Sequence, residues 1–221
     1  PRAAGALTAP TKPASERRAE RLKLYPMDSD LGTLGARFEA IDREVDALVA
    51  ATGLACPPGC GACCLSPEVE AAPEELALLA QEWVLRGEAL ALLERLATLE
   101  TEGRRQCALY RPSSEDGRQG RCGAYAWRPL VCRMFGFAAR HDRRGRTELV
   151  VCAVMSSAAP ETTAAAARQV AAGTPAPLFS DPAHGLIADL GGRGTERLPI
   201  NQALRQALER ALLSARLSAA E

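Results

Sequence analysis

Four cysteines fall within nine residues, Cys56, Cys60, Cys63 and Cys64 in the run Cys-Pro-Pro-Gly-Cys-Gly-Ala-Cys-Cys, and four more follow at Cys107, Cys122, Cys132 and Cys152. Prolines 57 and 58 with glycines 59 and 61 make a tight loop that can aim several sulfurs at one point. Thiolates favour soft or borderline metals, so zinc, iron–sulfur clusters and copper(I) are the candidates, and calcium and magnesium are not.

Spacing narrows this only in part. A zinc ribbon needs two separated Cys-x-x-Cys knuckles, and only Cys60 and Cys63 have that spacing. The thioredoxin reading needs a βαβ context that the pattern lacks, and the ferredoxin run Cys-x-x-Cys-x-x-Cys-x-x-x-Cys-Pro does not occur. Adjacent residues project in different directions, so Cys63 and Cys64 need not serve the same metal atom. One four-ligand site with spare thiols and two neighbouring sites both remain open.

The elements that must position these sulfurs are mainly helical. Leu31, Leu34, Phe38, Ile41, Val45 and Leu48 recur at steps of 3, 4, 3, 4 and 3, one face of a helix from Ser29 or Asp30 to Gly53. Pro73, Glu74 and Glu75 open a second helix that runs to Arg86 and stops at Gly87. Leu90, Leu93, Leu96 and Leu99 predict a third helix over 88–101. The alanine run 164–167 lies in a shorter one ending at Gly173, and 200–219 carries the last. Two apolar runs, 134–140 and 147–154, flank the turn Asp142–Arg146 and predict a β-hairpin. The Pro- and Gly-rich stretch 174–198 reads as loop.

The chain has 221 residues, with 27 basic side chains against 27 acidic ones. It is 47% apolar, yet it has 43 alanines and only nine aromatics, so its core must be built of small side chains. No stretch approaches the roughly 20 apolar residues of a bilayer span, and no secretory leader is visible. These features predict a soluble, cytoplasmic protein with no membrane partner. In a reducing compartment eight cysteines point to metal or redox chemistry rather than to a disulfide framework. Residues 1–24 hold six basic and two acidic side chains, with prolines at 10 and 13, and read as a disordered basic tail. Nucleic acid is not an expected partner, because the bland reading of such an arm is a solvated tail.

The run Cys-x-x-x-Cys-x-x-Cys-Cys at 56–64, with Gly120-Arg-Cys-Gly-Ala-Tyr125 and Arg128-Pro-Leu-Val-Cys-Arg-Met-Phe135, resembles the bacterial YkgJ-like cysteine-cluster family of zinc- or iron-chelating domains. The resemblance spans about residues 54–153. Two segments depart from the family pattern. Cys107-Ala-Leu-Tyr stands where a Cys-Pro-Phe-like segment is usual, and Phe135-Gly-Phe137 stands where Phe-Pro-Phe is usual. Neither change removes a ligand. The resemblance implies a metal centre, and a similar segment accompanies a flagellin lysine methylase, which places iron–sulfur ahead of zinc.

From 102 to 150 there are 11 arginines and five acids. Four thiolates on one divalent metal carry a net charge near minus two, which such an excess would offset. Arg128 and Arg133, near and beside Cys132, are expected to balance that charge and to donate N–H bonds to sulfur. Other motifs carry less. Ile187-Ala-Asp-Leu-Gly-Gly-Arg-Gly194 looks like a methyltransferase glycine loop, but barely 27 residues follow it, too few for a doubly wound sheet. His141 in the hairpin turn and His184 read as solvent-exposed. Tyr125, Trp127, Phe135 and Phe137 are expected to pack around the cluster loop, and Glu74–Glu75 reads as a helix start.

The fold expected is a mainly α, metal-stabilised single domain over 25–221, with a loop-rich cysteine lobe (54–153), a short β-hairpin and a C-terminal helical extension (154–221). All eight cysteines, Cys56, Cys60, Cys63, Cys64, Cys107, Cys122, Cys132 and Cys152, are the expected ligands. The centre expected is an iron–sulfur cluster of the 4Fe-4S type, otherwise zinc, in a structural, electron-transfer or metal-handling role with an unidentified redox or protein partner. The alternative is an iron–sulfur oxidoreductase or a component of a protein-modification enzyme. A disulfide-bridged domain is the remaining reading.

Overall fold

A computed structural model describes residues 30–179 and 196–219. The basic tail, the Ser29 cap, the glycine run 187–194 and His184 lie outside the described residues. The chain is mainly helical. Helix α1 spans Asp30–Thr52 and buries Leu34, Phe38, Ile41 and Leu48, as the 3-and-4 spacing requires, and ends at Gly53, whose N–H bonds the Val49 carbonyl at 2.8 Å. A four-residue turn, α2 (Ala62–Leu65), carries Cys63 and Cys64. The segment opened by Pro73 begins as a 3₁₀ turn, Pro73–Leu76, and continues as α3, Ala77–Leu85. Helix α4 covers Ala89–Thr101.

The face of α4 differs from the expected one. Ala89, Leu92, Leu96 and Leu99 are buried, while Leu90 is 58% exposed and Leu93 is only half-buried. Steps of exactly three residues drift off a 3.6-residue turn, and the sequence 89, 92, 96, 99 stays on it.

Strand β1 (Glu70–Ala71) pairs with β6 (Leu198–Pro199), and β2 (Tyr110–Pro112) pairs with β3 (Gly120–Cys122), all antiparallel. The expected hairpin is present but shorter, β4 (Ala138–His141) against β5 (Thr147–Val150). Met134 belongs instead to helix α5 (Leu130–Met134), which Pro129 caps, and Ala153–Val154 open helix α6 (Ala153–Ala158). Helix α7 (Pro160–Ala171) holds the alanine run. The stretch read as loop from residue 174 is partly ordered against β4, since Ala139 N–H donates to the Pro177 carbonyl and Phe179 N–H to the Ala139 carbonyl.

Helix α8 (Ile200–Ser218) lies along α3 and also packs on α4, while α1 touches α3, α5 and α7. One apolar core joins α1, α3, α4 and α8 to the cysteine lobe, and a smaller one joins Leu48, Leu54, Ala139, Met155, Ala166 and Val170. Cys64 and Cys107 sit inside the first core, and Cys152 packs on the second. Among the described residues no helix is long and apolar enough to cross a membrane.

Candidate metal centre

The cysteine lobe is held together by backbone bonds between segments distant in sequence. Cys60 N–H bonds the Pro57 carbonyl at 3.1 Å and closes the Pro-Pro-Gly turn, and Gly120 N–H bonds the Gly59 carbonyl at 3.0 Å, which seats that turn on β3. Cys107 N–H reaches the Cys64 carbonyl at 2.8 Å, and Tyr110 N–H reaches Cys107 at 3.0 Å. The β2–β3 register then sets Cys122 directly opposite Tyr110. The Tyr110 ring is buried, with its hydroxyl donating to the Gly117 carbonyl at 3.0 Å. It lies so close to Gly120 that a Cβ there would fall 2.6 Å from the ring, so only glycine fits.

Helix α5 brings Cys132. The buried Glu75 carboxylate fixes the start of that helix, accepting Leu130 N–H at 3.0 Å on one oxygen, and Ala72 N–H at 3.3 Å and Arg197 at 3.1 Å on the other. An anion at a helix N-terminus is favourably placed, although burial pushes the Glu75 pKa up. Cys152 follows β5. Gly136 lies against it with φ 84°, and a Cβ at that glycine would stand 3.2 Å from the Cys152 Cβ and 2.7 Å from Met155 Sδ.

All eight cysteines line one cavity of about 120 Å³. None is paired in a disulfide. Cys64 and Cys107 are buried, Cys60, Cys63, Cys122, Cys132 and Cys152 are half-buried, and Cys56 is exposed. The remaining wall is mostly apolar, with Val69, Leu109, Phe135, Phe137 and Ile200, while Arg121, Arg128 and Tyr125 supply its polar part. Phe135 and Phe137 thus sit where expected. Trp127 is buried in the main core, and Tyr125 is 58% exposed, stacked beneath the Arg128 guanidinium at 3.5 Å from its ring centroid.

The thiols are electrostatically unequal. The Cys64 side chain is within hydrogen-bonding reach of Cys107, Cys122 and Cys63, and these bonds, with burial, push its pKa up strongly. The bond from Cys64 lowers Cys63 to about 6 against the opposing effect of burial, with Arg128 helping, and lowers Cys122 to about 7 by the same bond. Burial, with the neighbouring thiolates, raises Cys132 and Cys56. Cys64 thus holds its proton more tightly than Cys63 and Cys122, at the middle of a hydrogen-bonded set.

The two arginines part company. Arg128 lines the cavity, bonding the Tyr125 carbonyl at 3.0 Å and the Cys132 carbonyl at 2.9 Å. Arg133, expected to serve the sulfurs, turns the other way. Its buried guanidinium grips both carboxylate oxygens of Asp42 on α1 at 2.8 and 2.7 Å, bonds the Ala126 carbonyl at 2.8 Å, and lies 4.2 Å from the Phe38 ring centroid. Successive residues of α5 point about 100° apart, so a helix that aims Cys132 at the cavity must aim Arg133 at α1. His141 is exposed on the hairpin, as expected, with Nδ1 3.5 Å from Thr147 Oγ1. Glu74 and Glu75 do open a helix, but the pairing of Glu75 with α5 across 55 residues left no local trace in the sequence.

Metal chemistry fits this donor set. Eight thiols and no carboxylate or imidazole face the cavity among the described residues, which suits a soft or borderline metal. A water molecule needs only roughly 10–15 Å³, so the space holds more than a single ion. The sulfurs line its wall, and among the described residues no three acidic, histidine or cysteine side chains already share one coordination point. The site is thus that of a thiolate metal-binding domain. Residues 55–153 match the family model CxxCxxCC, described as a "Putative zinc- or iron-chelating domain". That match spans just under half of the chain, agrees with the cysteine-cluster family its motifs resemble, and supports metal binding by the cysteines of the segment. No curated protein and no solved structure matches the chain.

Proposed function

We propose that the protein holds an iron–sulfur centre in the eight-cysteine cavity and uses it in a structural, electron-carrying or metal-handling role. The observation that carries this reading is the confluence of all eight sulfurs on one apolar-walled space of about 120 Å³, larger than one coordinated ion requires. When bound, such a centre supplies thiolate-ligated iron that can exchange single electrons. Cys56, Cys60, Cys63, Cys64, Cys107, Cys122, Cys132 and Cys152 provide the sulfur ligands. The neighbouring Phe135 and Phe137 limit water. Arg128 places a positive charge at the rim against the thiolates, as Arg133 does not. The absence of acid–base side chains from the described wall favours a closed centre over a hydrolytic one. A reducing, cytoplasmic setting and a redox or protein partner accompany this reading.

Zinc is the second reading, favoured by the contact of Cys64 with both Cys107 and Cys122, because sulfurs about 2.3 Å from one zinc must nearly touch. Anaerobic purification with iron, zinc and acid-labile sulfide analysis separates the two. A brown protein with iron and sulfide in equal amounts supports the first. Stoichiometric zinc in a colourless protein supports the second. Eight free thiols with no stoichiometric metal after reconstitution with either would refute both.

A further inference from the structure

We infer that the cavity is built for two adjacent four-thiolate centres, an inner one held by Cys64, Cys107, Cys122 and Cys132 and an outer one held by Cys56, Cys60, Cys63 and Cys152. This rests on the metal-binding reading above and adds the number of centres and the assignment of ligands to each.

The inner four belong to one rigid body. Cys107 is tied to Cys64 by a backbone bond of 2.8 Å, and Cys122 is held through the β2–β3 register opposite Tyr110, itself bonded to Cys107. The Cys64 side chain reaches both Cys107 and Cys122. Cys132 lies beside them, with the Cys107 sulfur its foremost charged neighbour, followed by those of Cys63 and Cys122. All four are buried in the main apolar core or packed on it.

Three of the outer four have a different setting, while Cys63 packs on the main core. Cys56 and Cys60 lie in the loop before α2, outside both apolar cores, and Cys152 packs on the second core. The sulfurs that act on Cys56 are those of Cys60, Cys63 and Cys152, which are the other three members of the set. The division falls at one peptide bond. Cys63 and Cys64 are consecutive in α2, so their side chains leave the helix about 100° apart. One is half-buried and the other buried. Their sulfurs still touch, which places the two centres side by side. Four thiolates complete a tetrahedral coordination sphere, and eight make two with no ligand left over. A single four-ligand centre would leave four ionisable thiols facing one another around the same apolar-walled space.

The unequal burial gives the centres unequal access to solvent, so the outer metal should leave first. The test uses the full chain, metal-freed and reloaded with zinc alone, and in parallel with ferrous iron and sulfide under anaerobic conditions. The expected result is two zinc ions, or two clusters, per chain. A competing chelator should remove one of the two at least tenfold faster than the other. Cys152→Ser should lose the fast-released metal and keep the slow one, and Cys122→Ser should lose the slow one. One centre per chain in the wild type would overturn the inference while leaving metal binding intact. So would a folded Cys152→Ser protein that loses all its metal or none. Failure to bind any metal would refute the underlying reading instead. Should the cysteine variants not fold, wild-type protein loaded with cadmium-113 decides, since two tetrathiolate resonances support the inference and one overturns it.

Discussion

Replacing Arg133 by alanine should cost about 2–4 kcal/mol of folding stability and leave the metal centre unaltered. Breaking a buried ion pair by deleting one partner costs roughly 3–5 kcal/mol, because the other charge is left poorly compensated. Here the Arg133 side chain is 1% exposed but that of Asp42 is 35% exposed, so the abandoned carboxylate recovers part of its hydration and the upper end of that range is out of reach. Loss of the bond to the Ala126 carbonyl and of the contact with the Phe38 ring, the latter about 0.5–2 kcal/mol, works in the other direction. Urea titration of metal-saturated wild-type, Arg133→Ala, Asp42→Ala and double-variant proteins measures this directly. The cycle should return a coupling above about 1 kcal/mol, as for contacting residues. A loss below about 1 kcal/mol would mean the pair behaves like an exposed one and would refute the anchoring role. The absorption spectrum per bound metal, and the midpoint potential of an iron–sulfur form, should not move. If the potential shifted while stability held, Arg133 would face the sulfurs after all. Arg128→Ala should give the converse result, a shifted centre with a small change in stability.

Three further outcomes follow from the same geometry. Gly120→Ala should destabilise by about 1–3 kcal/mol, the usual cost of overpacking, and lower metal content, because the added Cβ displaces the Tyr110 ring opposite Cys122; wild-type metal content and midpoint in denaturant would contradict this. Burial raises the Glu75 pKa above 4.5, so the folded state holds that proton more tightly than the unfolded chain, and stability falls as pH rises through the folded value. The difference between wild type and Glu75→Gln should therefore move against the wild type from pH 4 to pH 7 in denaturant titrations, and movement in its favour would reverse the assignment. Chelation should strip amide-exchange protection from 54–65 and 107–135 while α3 and α8, packed on each other, stay protected, since metal binding at such sites is also folding free energy; unchanged thermal stability after metal removal would disprove it.

What was legible in the sequence was whatever a local pattern encodes. The face of α1 follows from 3-and-4 spacing, and the end of α1 follows from Gly53. The ligand loop announces itself through prolines and glycines between cysteines. The features that escaped reading are contacts between distant segments. Nothing local says that Glu75 caps α5, that Glu70–Ala71 pairs with Leu198–Pro199, or that Arg133 answers Asp42 91 residues earlier. Adjacency in sequence argued for Arg133 beside Cys132, and helix geometry argued against it. The short β2–β3 pair left only one signal, the glycines flanking Arg121–Cys122, whose need is set by close neighbours across the pair, the Arg111 carbonyl and Tyr110 ring at Gly120 and the Leu109 carbonyl at Gly123, rather than by any turn.

The small-residue composition and the cysteine cavity are two sides of one arrangement. A core of alanines and leucines lets α8 lie close along α3, but in the cysteine-bearing segments 54–69 and 102–135 the largest buried apolar side chains are only Tyr110, Trp127 and Met134. The lobe is instead stitched by single bonds, Cys107 to Cys64, Gly120 to Gly59, and Leu130 to Glu75. Each is worth about 0.5–1.5 kcal/mol net when neutral and more when the partner is charged, too little to order four chain segments against their conformational entropy. Thiolate–metal bonds add that missing term at the point where these segments meet. On this argument the fold and the centre are mutually dependent, and the arginine that faces the sulfurs, Arg128, must be judged by its effect on the metal, whereas Arg133 must be judged by its effect on the fold.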